Sequence, residues 1–194
     1  MTAVPPLPLT LALTAVAREA AHRQVAGLVR SIPDFPAPGI LFRDITPVLA
    51  DPATLDAAVA LHLEHIGDLA GSIDRVCGIE SRGFLFGMAV AQALGAGFAP
   101  IRKPGKLPAA TIEQTYALEY GQDRLQIHVD AIGVGDRVLI VDDLLATGGT
   151  SLAASQLVER LGGEVLACLF LIELAELDGR TRLGARRVES VLVY

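Results

Sequence analysis

Apolar residues along the chain fall into two rhythms. Runs at 75–79, 98–101, 138–141, 165–172 and 188–193 are short and almost wholly apolar. They have strand length and no polar alternate face, the pattern of strands covered on both sides. Between them lie stretches with helical spacing. Val16, Ala20, Val25, Leu28 and Val29 form a stripe over 14–30, and Leu55, Ala58, Val59, Leu63 and Ile66 another over 52–69. A helix rich in small residues is expected over 84–94. One more is expected over 151–161, with Leu152, Leu157, Val158 and Leu161 inward and Gly162-Gly163 as its stop. Strands alternating with helices predict an α/β fold, a central mostly parallel sheet flanked by helices.

Other segments break this rhythm. Residues 1–13 read as a loose extension. Pro33, Pro36 and Pro38 impose an extended, rigid stretch ending at Gly39. Residues 102–121 carry three basic residues, two prolines and two glycines without a clean period, and are expected to form a long excursion, a hairpin lid. A strand with alternating burial follows at 125–129. With no repeat, low-complexity tract or linker, residues 1–194 are expected to form a single domain.

A chain of 194 residues with 52% apolar content can bury a core of its own. Its net charge of −6 argues against a nucleic-acid coat or an anionic-membrane binder. Cys77 and Cys168 sit in apolar runs and are expected to be free, buried thiols, in keeping with a reducing cytosol. The apolar stretch at 7–16 is short and no basic residue precedes it, so it lacks the form of a secretory leader. No apolar run approaches the roughly 20 residues of a membrane span. The expected location is cytoplasmic.

The chemistry concentrates at 137–150. A buried strand runs into two adjacent carboxylates, Asp142 and Asp143, then into a loop of small residues, Ala146-Thr147-Gly148-Gly149-Thr150, and then into a helix. Carboxylates accept hydrogen bonds from sugar hydroxyls. Amides at the positive end of a helix hold a phosphate. One ligand satisfies both halves, a ribose phosphate. A P-loop is excluded because Gly149 is followed by Thr150 rather than Lys, and a dinucleotide fingerprint because Val138 stands where its third Gly belongs.

The run Val141-Asp-Asp-Leu-Leu-Ala-Thr-Gly-Gly-Thr150 resembles the phosphoribosyl-pyrophosphate signature of type I phosphoribosyltransferases. Four further runs resemble the adenine branch of that family: Phe35-Pro-Ala-Pro-Gly-Ile-Leu-Phe-Arg-Asp-Ile45, Glu80-Ser-Arg-Gly-Phe-Leu-Phe-Gly87, Ile101-Arg-Lys-Pro-Gly-Lys-Leu-Pro108 and Tyr116-Ala-Leu-Glu-Tyr-Gly121. The resemblance covers the chain from about Ile32 to its end. It implies the type I fold with a small hood at 31–45 and a flexible lid at 102–121. It also implies transfer of the 5-phosphoribosyl group from phosphoribosyl pyrophosphate to adenine, giving AMP and pyrophosphate in purine salvage.

Roles follow from the resemblance by position. Asp142 and Asp143 would bind the ribose hydroxyls, and Ala146, Thr147, Gly148, Gly149 and Thr150 the 5-phosphate. Arg82, Arg102, Lys103 and Lys106 would meet the pyrophosphate, with Glu80 orienting Arg82. In the family the arginine at the position of Arg102 crosses a dimer interface, which implies a homodimer. Glu119 would be the general acid–base on the lid, with Tyr120 packing there, and Leu41 and Arg43 would read adenine through backbone groups. Pro104 stands where some relatives carry a basic residue. No protein metal site is expected; Mg²⁺ would arrive with the pyrophosphate. His62 and His65 are three apart on a predicted helix, yet no third ligand is near, so surface or partly packed histidines are expected. Competing readings are a hypoxanthine, guanine or xanthine transferase and a non-catalytic sensor of phosphoribosyl pyrophosphate. The sensor would need a nucleic-acid-binding element, and residues 1–31 are too poor in basic residues to supply one.

Overall fold

The computed structural model describes residues 13–117 and 121–194. Five parallel strands form the central sheet: β3 (Arg75–Ile79), β4 (Gly97–Ile101), β7 (Arg137–Leu145), β8 (Glu164–Glu173) and β9 (Val188–Val193), in the order β4-β3-β7-β8-β9. Strand alternation splits the core in two. Leu139, Val141, Leu169 and Leu171 pack on one face beneath α1 (Ala15–Leu28), α3 (Pro52–His65) and α4 (Gly83–Leu94). Val138, Ile140, Cys168 and Phe170 pack on the other beneath α5 (Gly149–Arg160). The apolar runs lack a polar face because both faces are covered. Cys77 and Cys168 are free and buried, and burial pushes the Cys77 thiol up to about 12.

Four outcomes differ from the expectations. The strand expected at 138–141 extends to Leu145, where Leu145 pairs with Glu173, so both aspartates lie within β7 rather than after it. The proline segment is a turn, not an extended rod. It joins β1 (Arg30–Ile32) to β2 (Phe42–Asp44) in an antiparallel hairpin, closed by the Gly39 amide donating to Asp34 Oδ1 at 2.7 Å and the Phe35 amide to the Ile40 carbonyl. The excursion pairs as β5 (Thr111–Ala117) with β6 (Gln122–His128), and Arg102 bridges to Gln126. The strand expected at 125–129 is therefore the return strand of the lid hairpin, which passes beyond residue 121.

The fourth difference is His62, which is fully buried rather than on the surface or partly packed. Its Nδ1 lies 2.7 Å from the Ala58 carbonyl, its ring stacks on Phe86 at 5.2 Å, and its Nε2 has no partner. Burial pulls its pKa down to about 4. Helical spacing places His62 on the inner face of α3 beside Ala58, which the three-residue spacing to His65 obscured. Two short helices, α2 (Thr46–Ala50) and α6 (Gly179–Leu183), carry no periodic signal of their own.

Candidate active site

Ligands of open α/β sheets bind beyond the carboxyl ends of the strands, and β7 delivers its two aspartates there. Asp142 and Asp143 are 9% and 6% exposed. Burial holds the Asp142 carboxyl well above the usual range, and the neighbouring Asp143 charge adds to this. Burial also raises Asp143, with the Arg82 guanidinium opposing it. The Asp143 amide donates to Asp142 Oδ1 at 2.9 Å. Arg82 Nε lies 2.7 Å from Asp143 Oδ2, an ion pair without hydrogen-bond alignment, so that oxygen keeps its accepting capacity. A carboxylate pair this enclosed is unfavourable unless something binds it.

Gly83 opens α4 against these carboxylates. A Cβ there would stand 2.7 Å from the Val141 carbonyl oxygen and 2.8 Å from Asp142 Oδ1, so only glycine lets the helix start this close to the strand. The next loop is shaped similarly. Gly148 takes a left-handed φ of +76° ahead of α5, and a Cβ on it would meet the Gly179 carbonyl oxygen at 2.5 Å. No side chain caps α5. The amides of its first turn therefore stay available to an anion. A cavity of about 70 Å³ sits there, lined by Asp142, Leu144 and residues 146–151.

A larger cavity of about 550 Å³ shares Asp142, Leu144, Ala146 and Thr150 with the first and adds Glu80, Ser81, Arg82, Lys103, Tyr116 and Asp143. Of the four cations expected for pyrophosphate, Arg82 and Lys103 line it. Arg102 turns to Glu80, with Nη2 to Oε1 at 3.1 Å, and lies 5.7 Å from the Phe84 ring centroid. Lys106 is exposed outside the lining and accepts Arg102 through its carbonyl at 3.2 Å. Glu80 does not orient Arg82: it holds Arg102 and accepts the Lys103 amide at 2.9 Å, while Asp143 holds Arg82. Sequence reasoning missed Asp123, whose Oδ2 pairs with Lys103 Nζ and lies 3.2 Å from the Tyr116 hydroxyl. One acid on a polar strand carries no signal of its own.

The hood adjoins this cavity. Phe42 meets Phe35 edge to face at 5.0 Å, and the Arg82 guanidinium carbon lies 5.2 Å from the Phe42 centroid. Leu41 and Arg43 line a third cavity of about 380 Å³ with Gly39, Ile40, Leu174 and Tyr194 among its walls. The Arg43 side chain stacks 3.9 Å from the Tyr194 centroid. Glu119 and Tyr120, expected as acid–base and lid residue, lie outside the described residues. Among the described residues no group of three or more His, Cys, Asp or Glu side chains could cage a metal ion, and no helix is long and apolar enough to cross a membrane.

The domain model for phosphoribosyl transferase matches residues 45–191. The adenine phosphoribosyltransferase of Methylococcus capsulatus is 58% identical over 168 residues, covering 86% of this chain and 96% of the relative. The crystal structure of adenine phosphoribosyltransferase from Rhodothermus marinus superposes with a TM-score of 0.86 at 51% identity, covering 91% and 99%. That of Saccharomyces cerevisiae, complexed with adenine and an imino-altritol bisphosphate, gives 0.85 at 39% identity, covering 89% and 99%. With its domain match and these relatives in agreement, the chain belongs to the phosphoribosyltransferase family, in its adenine phosphoribosyltransferase branch.

Proposed function

We propose that this site transfers the 5-phosphoribosyl group of phosphoribosyl pyrophosphate to adenine, releasing pyrophosphate and forming AMP. The observation that carries the reading is the buried Asp142–Asp143 pair where two cavities meet, Asp142 lining both the one at 146–151 and the one that holds Arg82 and Lys103. One side takes the 5-phosphate, the other the pyrophosphate, and the carboxylates between them take the ribose hydroxyls. Loss of pyrophosphate builds positive charge on the ribose, as in glycoside cleavage. Asp142 and Asp143 stabilise that charge, while Arg82 and Lys103 disperse the negative charge of the leaving group. The purine fills the cavity under the hood, where the peptide groups of Leu41 and Arg43, two residues apart, address one edge of the base and Leu174 covers the ring. Glu119 exchanges the purine-ring proton when the hairpin lid closes, and closure excludes water that would capture the activated ribose.

Magnesium belongs to the same proposal. Asp142 and Asp143 supply hard oxygen donors beside the pyrophosphate cavity, and Asp143 Oδ2 still has accepting capacity. This set fits a cation held mainly by substrate phosphates and water. When bound, Mg²⁺ neutralises part of the pyrophosphate charge. A homodimer in which Arg102 reaches the partner site also belongs to the proposal, as does a cytoplasmic location, which two buried, unpaired thiols suit.

The test is AMP formation from adenine and phosphoribosyl pyrophosphate, with hypoxanthine, guanine and xanthine as competitors. Adenine should be strongly preferred; a preference for guanine would refute the base assignment.

A further inference from the structure

Lys103 projects into the pyrophosphate cavity, yet it is already engaged. Its Nζ donates to the Tyr116 hydroxyl at 2.8 Å and pairs with Asp123 Oδ2. Asp123 Oδ2 is also 3.2 Å from that hydroxyl, so the three groups form a closed triangle. Tyr116 and Asp123 are directly opposed in the β5–β6 register. An ammonium has three donors. Two are committed to the hairpin, leaving one for the cavity. The Lys103 and Asp123 side chains are only about a third exposed, which sets this pair apart from a freely solvated one. Burial disfavours the Lys103 ammonium, but Asp123 and Tyr116 more than offset this and keep it charged.

We propose that Asp123 is a built-in counter-anion for Lys103: the pyrophosphate group of the donor must exchange with the Asp123 carboxylate to engage Lys103 fully. The inference rests on the proposed pyrophosphate role of this cavity. Two anions competing for one ammonium weaken each other's hold, so Asp123 lowers donor affinity. A site that does not hold its pyrophosphate product too tightly follows from one ion pair.

The experiment is calorimetric titration of inorganic pyrophosphate, with Mg²⁺, into the wild-type enzyme, Asp123→Asn, Asp123→Ala, Lys103→Met and the double variant Asp123→Asn/Lys103→Met. Melting curves check that each is folded. Freeing a partly exposed ammonium from its partner should tighten pyrophosphate binding in both Asp123 variants by about two- to fivefold. The donor KM should fall by a similar factor, and kcat should change by less. Salt should weaken binding more steeply in these variants, because one more unneutralised cation meets the anion. The gain should vanish in the double variant, which should match Lys103→Met. Equal or weaker binding by both Asp123 variants, or a gain that survives loss of Lys103, overturns the inference. Wild-type enzyme that binds no pyrophosphate and forms no AMP overturns the function reading itself, and the inference with it.

Discussion

Replacing Gly83 by alanine sets two physical effects against each other. Gly83 is the first residue of α4 and its φ is not in the left-handed region. Helix propensity alone predicts that alanine would stabilise the protein by up to about 1 kcal/mol. The surroundings predict the reverse. The new Cβ would lie 2.7 Å from the Val141 carbonyl oxygen, 2.8 Å from Asp142 Oδ1 and 3.0 Å from Asp142 Cα. Ordinary contact begins near 3.4 Å, so α4 and β7 must separate by about 0.7 Å. Two of these three atoms are backbone, and both strand and helix are packed in the core, so no flexible side chain can absorb the shift. Overpacking of this kind costs about 1–3 kcal/mol. Net destabilisation of about 1–2 kcal/mol should lower the melting temperature by about 2–8 °C in a chain of this size. The displaced group is a carboxylate of the site, and errors below 1 Å in a reacting constellation are costly. The donor kcat/KM should therefore fall at least about tenfold. Calorimetric melting and steady-state kinetics on G83A are the assays. A melting temperature at or above wild type with unchanged kcat/KM would refute the close-approach argument.

Asp142→Asn should separate stability from activity. A carboxyl whose folded pKa is raised stabilises most below its ordinary value, near 3.8, and that stability is lost as pH rises through the raised value. The amide has no such loss, so the variant should unfold at higher urea than wild type at pH 7, by roughly 1 kcal/mol, with the difference shrinking toward pH 4, while turnover falls. His62 titrates in the opposite sense: its folded pKa, about 4, lies below the ordinary 6.5, so its stability is present above pH 6.5 and lost as pH falls toward 4. That window carries on the order of 3 kcal/mol. Urea midpoints of His62→Leu should fall less than those of wild type between these pH values, and parallel curves would count against the assignment. Glu119→Gln should lower kcat far more than it alters substrate KM, and an unchanged pH–rate profile would remove Glu119 as the acid–base.

The sheet was legible because buried parallel strands leave unbroken apolar runs, and β3 and β9 begin and end where those runs do. The end of β7 was hidden because its last residues mix carboxylates with leucines while still pairing with β8. Composition announces the Asp142–Asp143 pair and the glycine loop, since few other residues suit those tasks. Which cation meets which acid was not legible. The pairing of Glu80 with Arg102 rather than Arg82, and of Lys103 with Asp123, depends on side-chain reach across elements distant in sequence. The hood turn is not legible in sequence because prolines signal both stiffness and reversal, and the Asp34–Gly39 bond that decides between them is a property of the folded hairpin.

The contact between Gly148 and Gly179 has a consequence for transplantation. The loop at 146–150 and α6 meet backbone to backbone, and a Cβ on Gly179 would approach the Ala146 carbonyl more closely still than one on Gly148 approaches Gly179. The ten-residue signature is thus half of a mould, and the other half lies some thirty positions downstream in a segment without a motif of its own. Grafted alone onto another strand and helix, residues 141–150 would lack the wall that sets their curvature. A designer borrowing this loop must take both glycines together, and a search for it by the signature alone would find chains that share its letters without its shape.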